Sequence, residues 1–234
     1  MKNEESTPIA YCDTSFLIEY WEATTIDKND EYEHLRSRNE PEYFKFITKL
    51  LKSESKIERL KPFRKLVEND GINLKIISSV LALMEVFEKH AEWNFKSIIT
   101  EATGVDRVLN LGKKRIGNMI QNISDTDVAA CHMIHSALYP SHLEETFYGI
   151  TFEGLDEFAL TKKDFRESFG YLSVLQIGPM DILHLHAAIK LNATYFLTFD
   201  EDFKRVRNFI KKELGLKVIY HNHEIEQLSK KHKK

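Results

Sequence analysis

The chain has 234 residues, 42% hydrophobic and 29% charged, a composition expected for a globular protein with one substantial core. Its net charge of −3 excludes a uniformly basic surface, so any nucleic-acid binding needs a local basic patch. The chain has no run of roughly 18 to 20 apolar residues that could span a membrane, and "MKNEESTPIAYCD" lacks the basic and apolar parts of a signal peptide. These features predict a cytoplasmic protein without a membrane partner. Cys12 and Cys131 are the only cysteines, too few for a disulfide framework, and are predicted to be reduced.

Predicted strands and helices alternate in the first part of the chain. "PIAYC" at 8–12 is a predicted strand, and Asp13 or Ser15 is a suitable cap for the helix in "DTSFLIEYW". Residues 21–70 carry apolar positions at helical spacing, as in "EYFKFITKLLKS", and predict a helical insertion. The next strand is "INLKIISS", followed by the helix "VLALMEVFEKH".

The same alternation returns after a second predicted helical insertion at 91–170. "YLSVLQIGP", "ATYFLTF" and "LKVIYH" are predicted strands, and "MDILHLHAAIKLN" and "DEDFKRVRNFIKKELG" are predicted helices. The tail at 229–234 is predicted to be disordered. Together these elements predict an α/β fold: one domain over 1–234, with a parallel sheet of about four to five strands in a three-layer α/β/α arrangement.

Acidic residues follow three of the predicted strands or begin the helix after them. Asp13, Asp181 and Asp200 would therefore meet at the carboxyl edge of a parallel sheet, where ligands bind in such folds. Each of them also precedes a helix, and helix capping alone would account for any single one. Glu85 lies inside "SSVLALMEVFEKH", where capping cannot explain it and a solvated helix face is the alternative.

Several carboxylates in one place repel one another unless a cation neutralises them. Ligands that are all oxygen favour Mg²⁺ or Mn²⁺ over zinc, which prefers histidine and cysteine. Such ions can activate a water for cleavage of a phosphodiester bond. Asp200, with Asp202 or Glu201 beside it, would complete this acidic site.

Four segments of the chain resemble the motifs of the PIN-domain nucleases, the family that includes the VapC-type toxins. They are "YCDTSFL", the glutamate of "SSVLALMEVF", "MDILHLHAAIKLNATYFLTFDEDF" and "LGLKVI". The resemblance covers about half of the chain, in three separated pieces, since the last two segments lie close together in the sequence. It implies a metal-dependent endoribonuclease that uses Mg²⁺ or Mn²⁺ on RNA, frequent homodimers, and an antitoxin partner if the chain is the toxin of a toxin-antitoxin pair.

By position, the resemblance assigns the metal-binding and catalytic role to four acids: Asp13, Glu85, Asp181 and Asp200. Asp202 matches a position that is often acidic and acts through a water. Thr14 and Ser15 match small polar residues that orient a ligand or a phosphate. Two basic segments are candidates for holding the RNA backbone, namely Lys113 to Arg115 and Lys204 with Arg205, although a solvated helix face is the alternative.

Other functions are weighed on the same residues. A zinc site built from Cys131, His132 and His135 is disfavoured, because helical neighbours point in different directions and no second ligand pair has suitable spacing. His184, three residues after Asp181, could orient that carboxylate. A non-catalytic PIN-like scaffold that binds RNA or protein remains open, as does a phosphatase with Asp13 as nucleophile. The phosphatase would need a second acid where Ser15 stands.

Overall fold

The computed structural model describes residues 7–28, 61–63, 66–67, 71–89, 147, 149–153 and 161–233. The chain forms two compact units. The first comprises Met1–Leu83 and Tyr148–Lys234, and the second is Met84–Phe147. All of the strands described below belong to the first unit. Most of the two predicted helical insertions lies outside the described residues.

Strands and helices alternate along the described chain. The strands are β1 (Ile9–Cys12), β2 (Lys75–Ser79), β3 (Thr151–Glu153), β4 (Tyr195–Leu197) and β5 (Lys217–Ile219). The longer helices are α1 (Thr14–Lys28), α2 (residues 80–89), α3 (Lys162–Leu175), α4 (Pro179–Lys190), α5 (Glu201–Leu214) and α6 (Asn222–Lys231). Among the helices described, none combines the length and the apolar character needed to cross a bilayer.

The five strands form one parallel sheet in the order β3-β2-β1-β4-β5. The central strand β1 pairs with β2 on one side and with β4 on the other, so that Ala10 lies beside both Ile76 and Tyr195. The chain adds β2 and β3 in one direction and β4 and β5 in the other, so strand order reverses between β1 and β4. The predicted α/β fold with a parallel sheet flanked by helices is confirmed.

The core of the first unit lies between the sheet and its helices. The Tyr11 ring stacks on Phe196 with centroids 5.7 Å apart, and Phe196 also contacts Phe203 of α5 at 4.7 Å. Helix α4 buries several of its residues, including Ile182, Leu185 and Ala188, as expected for a strongly apolar helix. This packing holds the first turns of α4 and α5 near the carboxyl ends of β1 and β4.

The predicted strand "YLSVLQIGP" at 171–179 is wrong. Residues 171–175 are the last part of α3, which begins at a capping box between Thr161 and Asp164 and ends at Gln176 with φ 54°. Ser168 and Leu175 are buried at helical spacing, and Leu172 packs against the core. The run belongs to this helix rather than to a strand, because the residues before it continue the same helical pattern: Leu172 and Leu175 face the core, whereas Val174 is exposed.

Three further differences concern the edge of the sheet and the chain end. Strand β3 lies inside the predicted helical insertion at 91–170, and α6 is not among the predicted elements. The predicted disorder at 229–234 is wrong for the described residues 229–233. Helix α6 continues to Lys231, and Lys233 forms an antiparallel bridge with Ile72. A hydrogen bond of 2.8 Å from the Asn73 amide to the His232 carbonyl holds the same segment.

Candidate active site

Asp13 joins the ends of strands β1 and β4. Its amide donates to the Leu197 carbonyl at 3.1 Å. Its carboxylate accepts hydrogen bonds from the Ser15 hydroxyl (2.8 and 3.0 Å), the Phe16 amide (2.9 Å) and the Thr198 hydroxyl (2.6 Å). Asp13 therefore caps α1, and Ser15, predicted to orient a ligand, is one of its donors. The residue is only 3% exposed.

The burial of Asp13 controls its charge. Burial raises the pKa of its carboxyl group to about 6, although the Thr198 hydrogen bond, the nearby His184 and the other donors act in the opposite direction. A cation placed beside this carboxylate would favour the ionised form. At a pH close to neutral, the protonation of Asp13 therefore depends on whether a cation lies next to it.

Asp181 lies in the first turn of α4 and reaches back to the start of its own helix. Its Oδ2 accepts a hydrogen bond of 2.9 Å from the Gly178 amide. A Cβ atom added at Gly178 would lie 2.9 Å from that oxygen, so glycine leaves the room that the carboxylate occupies. Burial raises the pKa of Asp181, and the charges of Asp200 and Asp202 raise it further. These three acids therefore affect one another electrostatically.

Asp200 caps helix α5 directly after β4. Its Oδ1 accepts a hydrogen bond of 2.8 Å from the Asp202 amide, and its own amide donates to the Thr198 hydroxyl oxygen at 3.0 Å. The Thr198 side chain, which is buried, therefore contacts both the Asp13 carboxylate and the backbone of Asp200. One threonine positions two of the predicted acids at the point where strand order reverses.

His184 lies beneath this edge in a chain of buried polar groups. Its Nδ1 lies 2.9 Å from the Tyr11 hydroxyl, which in turn lies 2.8 Å from the Ser79 hydroxyl. Its Nε2 lies 2.9 Å from the hydroxyl of Thr14. Thr14, predicted to orient a ligand, is thus held by the histidine. This series of hydrogen bonds links strands β1 and β2 with helices α1 and α4 beneath the acids.

The two predicted basic residues of α5 are next to acids of the same helix. Lys204 Nζ lies 3.2 Å from Glu201 Oε2. Arg205 Nη2 lies 3.5 Å from Asp202 Oδ1 and donates to the Gln176 carbonyl at 2.9 Å. Arg205 therefore fixes the loop before α4 against the start of α5, beside the acids. Lys113 to Arg115 and the Cys131, His132 and His135 cluster lie outside the described residues.

Glu85 belongs to the second unit and is half-buried in α2. Its assignment as a fourth ligand stays a prediction. Within the part of the chain that the structure describes, no three acid, histidine or cysteine side chains are grouped closely enough to hold a metal ion. The first unit therefore brings Asp13, Asp181, Asp200 and Asp202 to one edge of its sheet without closing them into a cage.

No protein-family model, curated protein or solved structure matches this chain significantly.

Several residues of the site were not predicted from the sequence. Thr198 lies two positions before Asp200, and a buried hydroxyl at the end of a strand is the signal that could have identified it. The sequence predicts Tyr11 as a strand residue and Ser78 or Ser79 as the cap of the next helix. Ser79 does accept a hydrogen bond from the Ala82 amide at 3.2 Å, but the support that the Tyr11 and Ser79 hydroxyl groups give to His184 was not predicted. Gly178 was assigned to a predicted strand, where its contact with the Asp181 carboxylate could not be anticipated.

Proposed function

We propose that this protein is an endoribonuclease of the PIN type that depends on Mg²⁺ or Mn²⁺ and uses the acids of the first unit. The observation that carries the proposal is the meeting of Asp13, Asp181 and Asp200, from three separate segments, at the carboxyl edge of a parallel sheet. That edge, where strand order reverses, is the usual ligand site of such sheets. The motif resemblance assigns the metal-binding role to these three acids as well.

The donor chemistry of these residues fits a hard cation. Asp181, Asp200 and Asp202 supply only oxygen, and their mutual repulsion favours the binding of a positive ion. The carboxylates of Asp181 and Asp200 now cap helices, and that of Asp202 lies 3.5 Å from Arg205 Nη2, so all three would have to turn toward the ion. The hydrogen bonds that such a turn would break are single contacts to backbone amides for Asp181 and Asp200.

In RNA cleavage, the residues of this site would have the following roles. A bound Mg²⁺ or Mn²⁺ would lower the pKa of a water and stabilise the charge that develops on the leaving oxygen. Asp181 and Asp200 would hold the ion, and Asp202 would act through a water. Asp13, fixed by Ser15 and Thr198, would supply negative charge from below the site. Lys204 and Arg205 would contact the RNA phosphates.

A second candidate function is a binding scaffold without catalysis. Each of Asp13, Asp181 and Asp200 accepts a hydrogen bond from a backbone amide at the start of a helix, which is a sufficient structural reason for an acid at these positions. In that case the carboxyl edge would bind RNA or protein and cut nothing. The toxin role and the antitoxin partner would then lose their basis.

The third function considered, a phosphatase that uses Asp13 as nucleophile, is disfavoured by geometry. Both oxygens of Asp13 already accept hydrogen bonds, and the residue is almost completely buried. A nucleophile must present a free oxygen to its substrate. The acid that a phosphatase needs two residues later is replaced by Ser15, which itself donates to Asp13.

The test is a Mn²⁺ titration at neutral pH on the wild type, on Asp181→Asn and on the control Glu167→Gln, an exposed acid of α3. An asparagine can keep the hydrogen bond from Gly178, so the Asp181 variant should fold. We expect its Mn²⁺ affinity to fall at least about tenfold and its cleavage of a labelled RNA pool to be lost, since it removes a charged ligand. The control should match the wild type.

The same experiment separates the two candidates. If neither folded protein binds Mn²⁺, with or without the RNA pool, and RNA is still bound, the scaffold is supported and the nuclease is rejected. Cleavage that continues unchanged in EDTA, or at the wild-type rate in Asp181→Asn, would also reject the metal-dependent mechanism.

A further inference from the structure

A depression of about 550 Å³ opens where strand β5 ends, and Tyr220, His221, Asn222, His223 and Glu226 line it. Strand β5 runs parallel to β4 and pairs with it, so its carboxyl end lies at the same edge of the sheet as Asp200. The Tyr220 hydroxyl donates a hydrogen bond to Glu201, the residue after Asp200. The depression therefore adjoins the acidic edge, and the site described above does not use it.

The floor of the depression is held in place by one carboxylate. Glu224 Oε2 accepts hydrogen bonds from the amides of Tyr220 (3.0 Å) and His221 (2.9 Å). Arg207 Nη1 lies 3.7 Å from the other oxygen of Glu224. These contacts fix the backbone between β5 and α6. The rings that line the depression are thus presented on a segment with a defined conformation, which reduces the entropic cost of binding.

The rings form a stacked platform. His221 and His223 lie nearly parallel, with centroids 5.4 Å apart and an angle of 16° between their planes. The Tyr220 ring meets His221 edge to face at 4.9 Å. Tyr220 is buried, His221 is half-buried and His223 is exposed, so the platform runs from the core to the solvent. An exposed flat ring backed by two others is suited to stacking with a planar ligand.

Polar groups at the edge of the platform match the edge of a nucleobase. Glu226 offers an exposed carboxylate, which can accept hydrogen bonds from the amino or imino groups of a base. Asn222 Oδ1 is buried and has no hydrogen-bond partner among the described residues. An unpaired buried acceptor is unfavourable, so a ligand that lets this amide turn toward the depression would gain a hydrogen bond.

A metal ion is a poorer match for these imidazoles, because the lone pairs of an imidazole lie in the plane of its ring and two stacked, nearly parallel rings do not direct them at one ion. Two cationic side chains lie beside the rings instead, each of them also next to a glutamate, Lys204 beside Glu201 and Arg207 beside Glu224. Lys204 Nζ lies 4.8 Å from the centroid of the Tyr220 ring, and Arg207 lies near Glu224. Lysine and arginine next to a stacking platform are the usual combination in proteins that hold single-stranded nucleic acid.

We propose that this depression binds one unpaired base of single-stranded RNA, stacked on His223 and His221, with Lys204 and Arg207 near the adjoining phosphates. The inference rests on the proposed function in one respect, namely that RNA is the substrate of the neighbouring acidic edge. It adds a reason for the enzyme to act on unpaired rather than double-stranded RNA, since a paired base cannot leave its stack at low cost.

The test is equilibrium binding in EDTA, measured by fluorescence anisotropy. The probes are a labelled single-stranded RNA of about ten nucleotides and an abasic strand of the same length. We expect His223→Ala to weaken binding of the base-bearing RNA about tenfold and to leave the abasic strand unaffected, because only stacking is lost. His223→Phe keeps a flat ring and should bind within about twofold of the wild type. Lys212→Ala, an exposed lysine near the end of α5, controls for the loss of a surface side chain.

The result that overturns the proposal is equal loss of both strands in His223→Ala, no loss at all, or no RNA binding by the wild type. A phenylalanine variant as weak as the alanine variant would also overturn it. The two proposals fail separately because binding is measured without metal. Base-dependent binding through His223 without Mn²⁺-dependent cleavage would reject the nuclease alone. Mn²⁺-dependent cleavage with an unchanged KM in His223→Ala would reject the base site alone.

Discussion

The Thr198 hydroxyl donates a hydrogen bond of 2.6 Å to Asp13 Oδ2, joining two residues that are 185 positions apart in the chain. The same oxygen of Thr198 accepts a hydrogen bond from the Asp200 amide. Through this side chain, the acid that follows β1 and the acid that follows β4 are held together.

Replacing Thr198 by valine removes that hydroxyl with little change in shape. Asp13 then loses a donor and the Asp200 amide loses an acceptor, so we expect the free energy of unfolding at neutral pH to fall by about 1 to 3 kcal/mol. Urea denaturation measures the difference. Thr194→Val, at an exposed threonine just before β4, is the matched control and should be close to neutral. Equal effects at the two positions would contradict a special role for Thr198.

The raised pKa of Asp13 predicts a pH dependence of stability. The folded state holds this proton more tightly than the unfolded state, because its pKa is about 6 instead of 3.8. The stabilisation is complete below pH about 4 and is lost as the pH rises through about 6, a contribution on the order of 3 kcal/mol for the metal-free protein. Asp13→Asn cannot titrate. The wild type minus variant difference in unfolding free energy should therefore fall over this pH range, and a flat difference would refute the assignment.

Gly178→Ala tests the placement of the Asp181 carboxylate. The new Cβ would approach Oδ2 of Asp181 to 2.9 Å, and the flexible end of that side chain would have to move. We expect a stability change of less than about 1 kcal/mol. Mn²⁺ affinity should nevertheless fall several-fold, because a ligand is displaced.

Gly170→Ala is the matched control for that change, since a Cβ at this helical position of α3 meets nothing within 4 Å. It should raise stability by about 0.5 to 1 kcal/mol through the better helix propensity of alanine and should leave Mn²⁺ binding unchanged. If both alanine variants bind Mn²⁺ like the wild type, the carboxylate of Asp181 is not where metal binds.

Asp164 connects helices α3 and α4. It accepts hydrogen bonds from the Thr161 amide and hydroxyl, and from Lys190 of α4 at 2.7 Å. The Lys190 contact, together with the Thr161 bonds, holds the pKa of Asp164 well below its usual range. Its stabilising contribution is therefore present above pH about 4 and is lost as the pH falls through its lowered folded-state pKa.

Asp164→Asn should accordingly lower Tm at pH 7, and the gap from the wild type should close in strong acid. Thermal melts at several pH values measure this. The exposed pair Lys163 and Glu167 in the same helix provides the comparison, and Glu167→Gln should change the unfolding free energy by less than about 0.5 kcal/mol. A larger loss in Glu167→Gln than in Asp164→Asn would contradict the assignment.

Local pattern was sufficient to predict most of the described fold. Strands β1, β2, β4 and β5 are short apolar runs bounded by turn residues, and α5 shows both its acidic start and its closing Gly215. The prediction for residues 171–175 is wrong because these five residues, apolar except for Ser173, are too few to show a helical period. Strand β3 is short and only half-buried, so it gave a weak signal.

The predicted site was recovered in part for a similar reason. Parallel topology brings the residues after β1 and β4 to one edge of the sheet. The predicted strands alone were therefore sufficient to place Asp13 and Asp200 at the same edge. The contacts of Thr198, Tyr11 and Gly178 depend on the three-dimensional packing of segments far apart in the chain, and no local pattern encodes them. Glu85 remains a prediction from its position inside a helix.

The order of strands also bears on how this chain folds. Strand β1 precedes the other four described strands in the chain and becomes the centre of the sheet. Its partner β4 follows 185 residues later, as the pairing of Ala10 with Tyr195 shows. At about 5 to 20 residues per second, ribosomal synthesis leaves one edge of β1 without its native partner for roughly 10 to 40 s. Contacts this distant in sequence close slowly. A chain that stops short of β4 would therefore expose an apolar strand edge and be prone to aggregate.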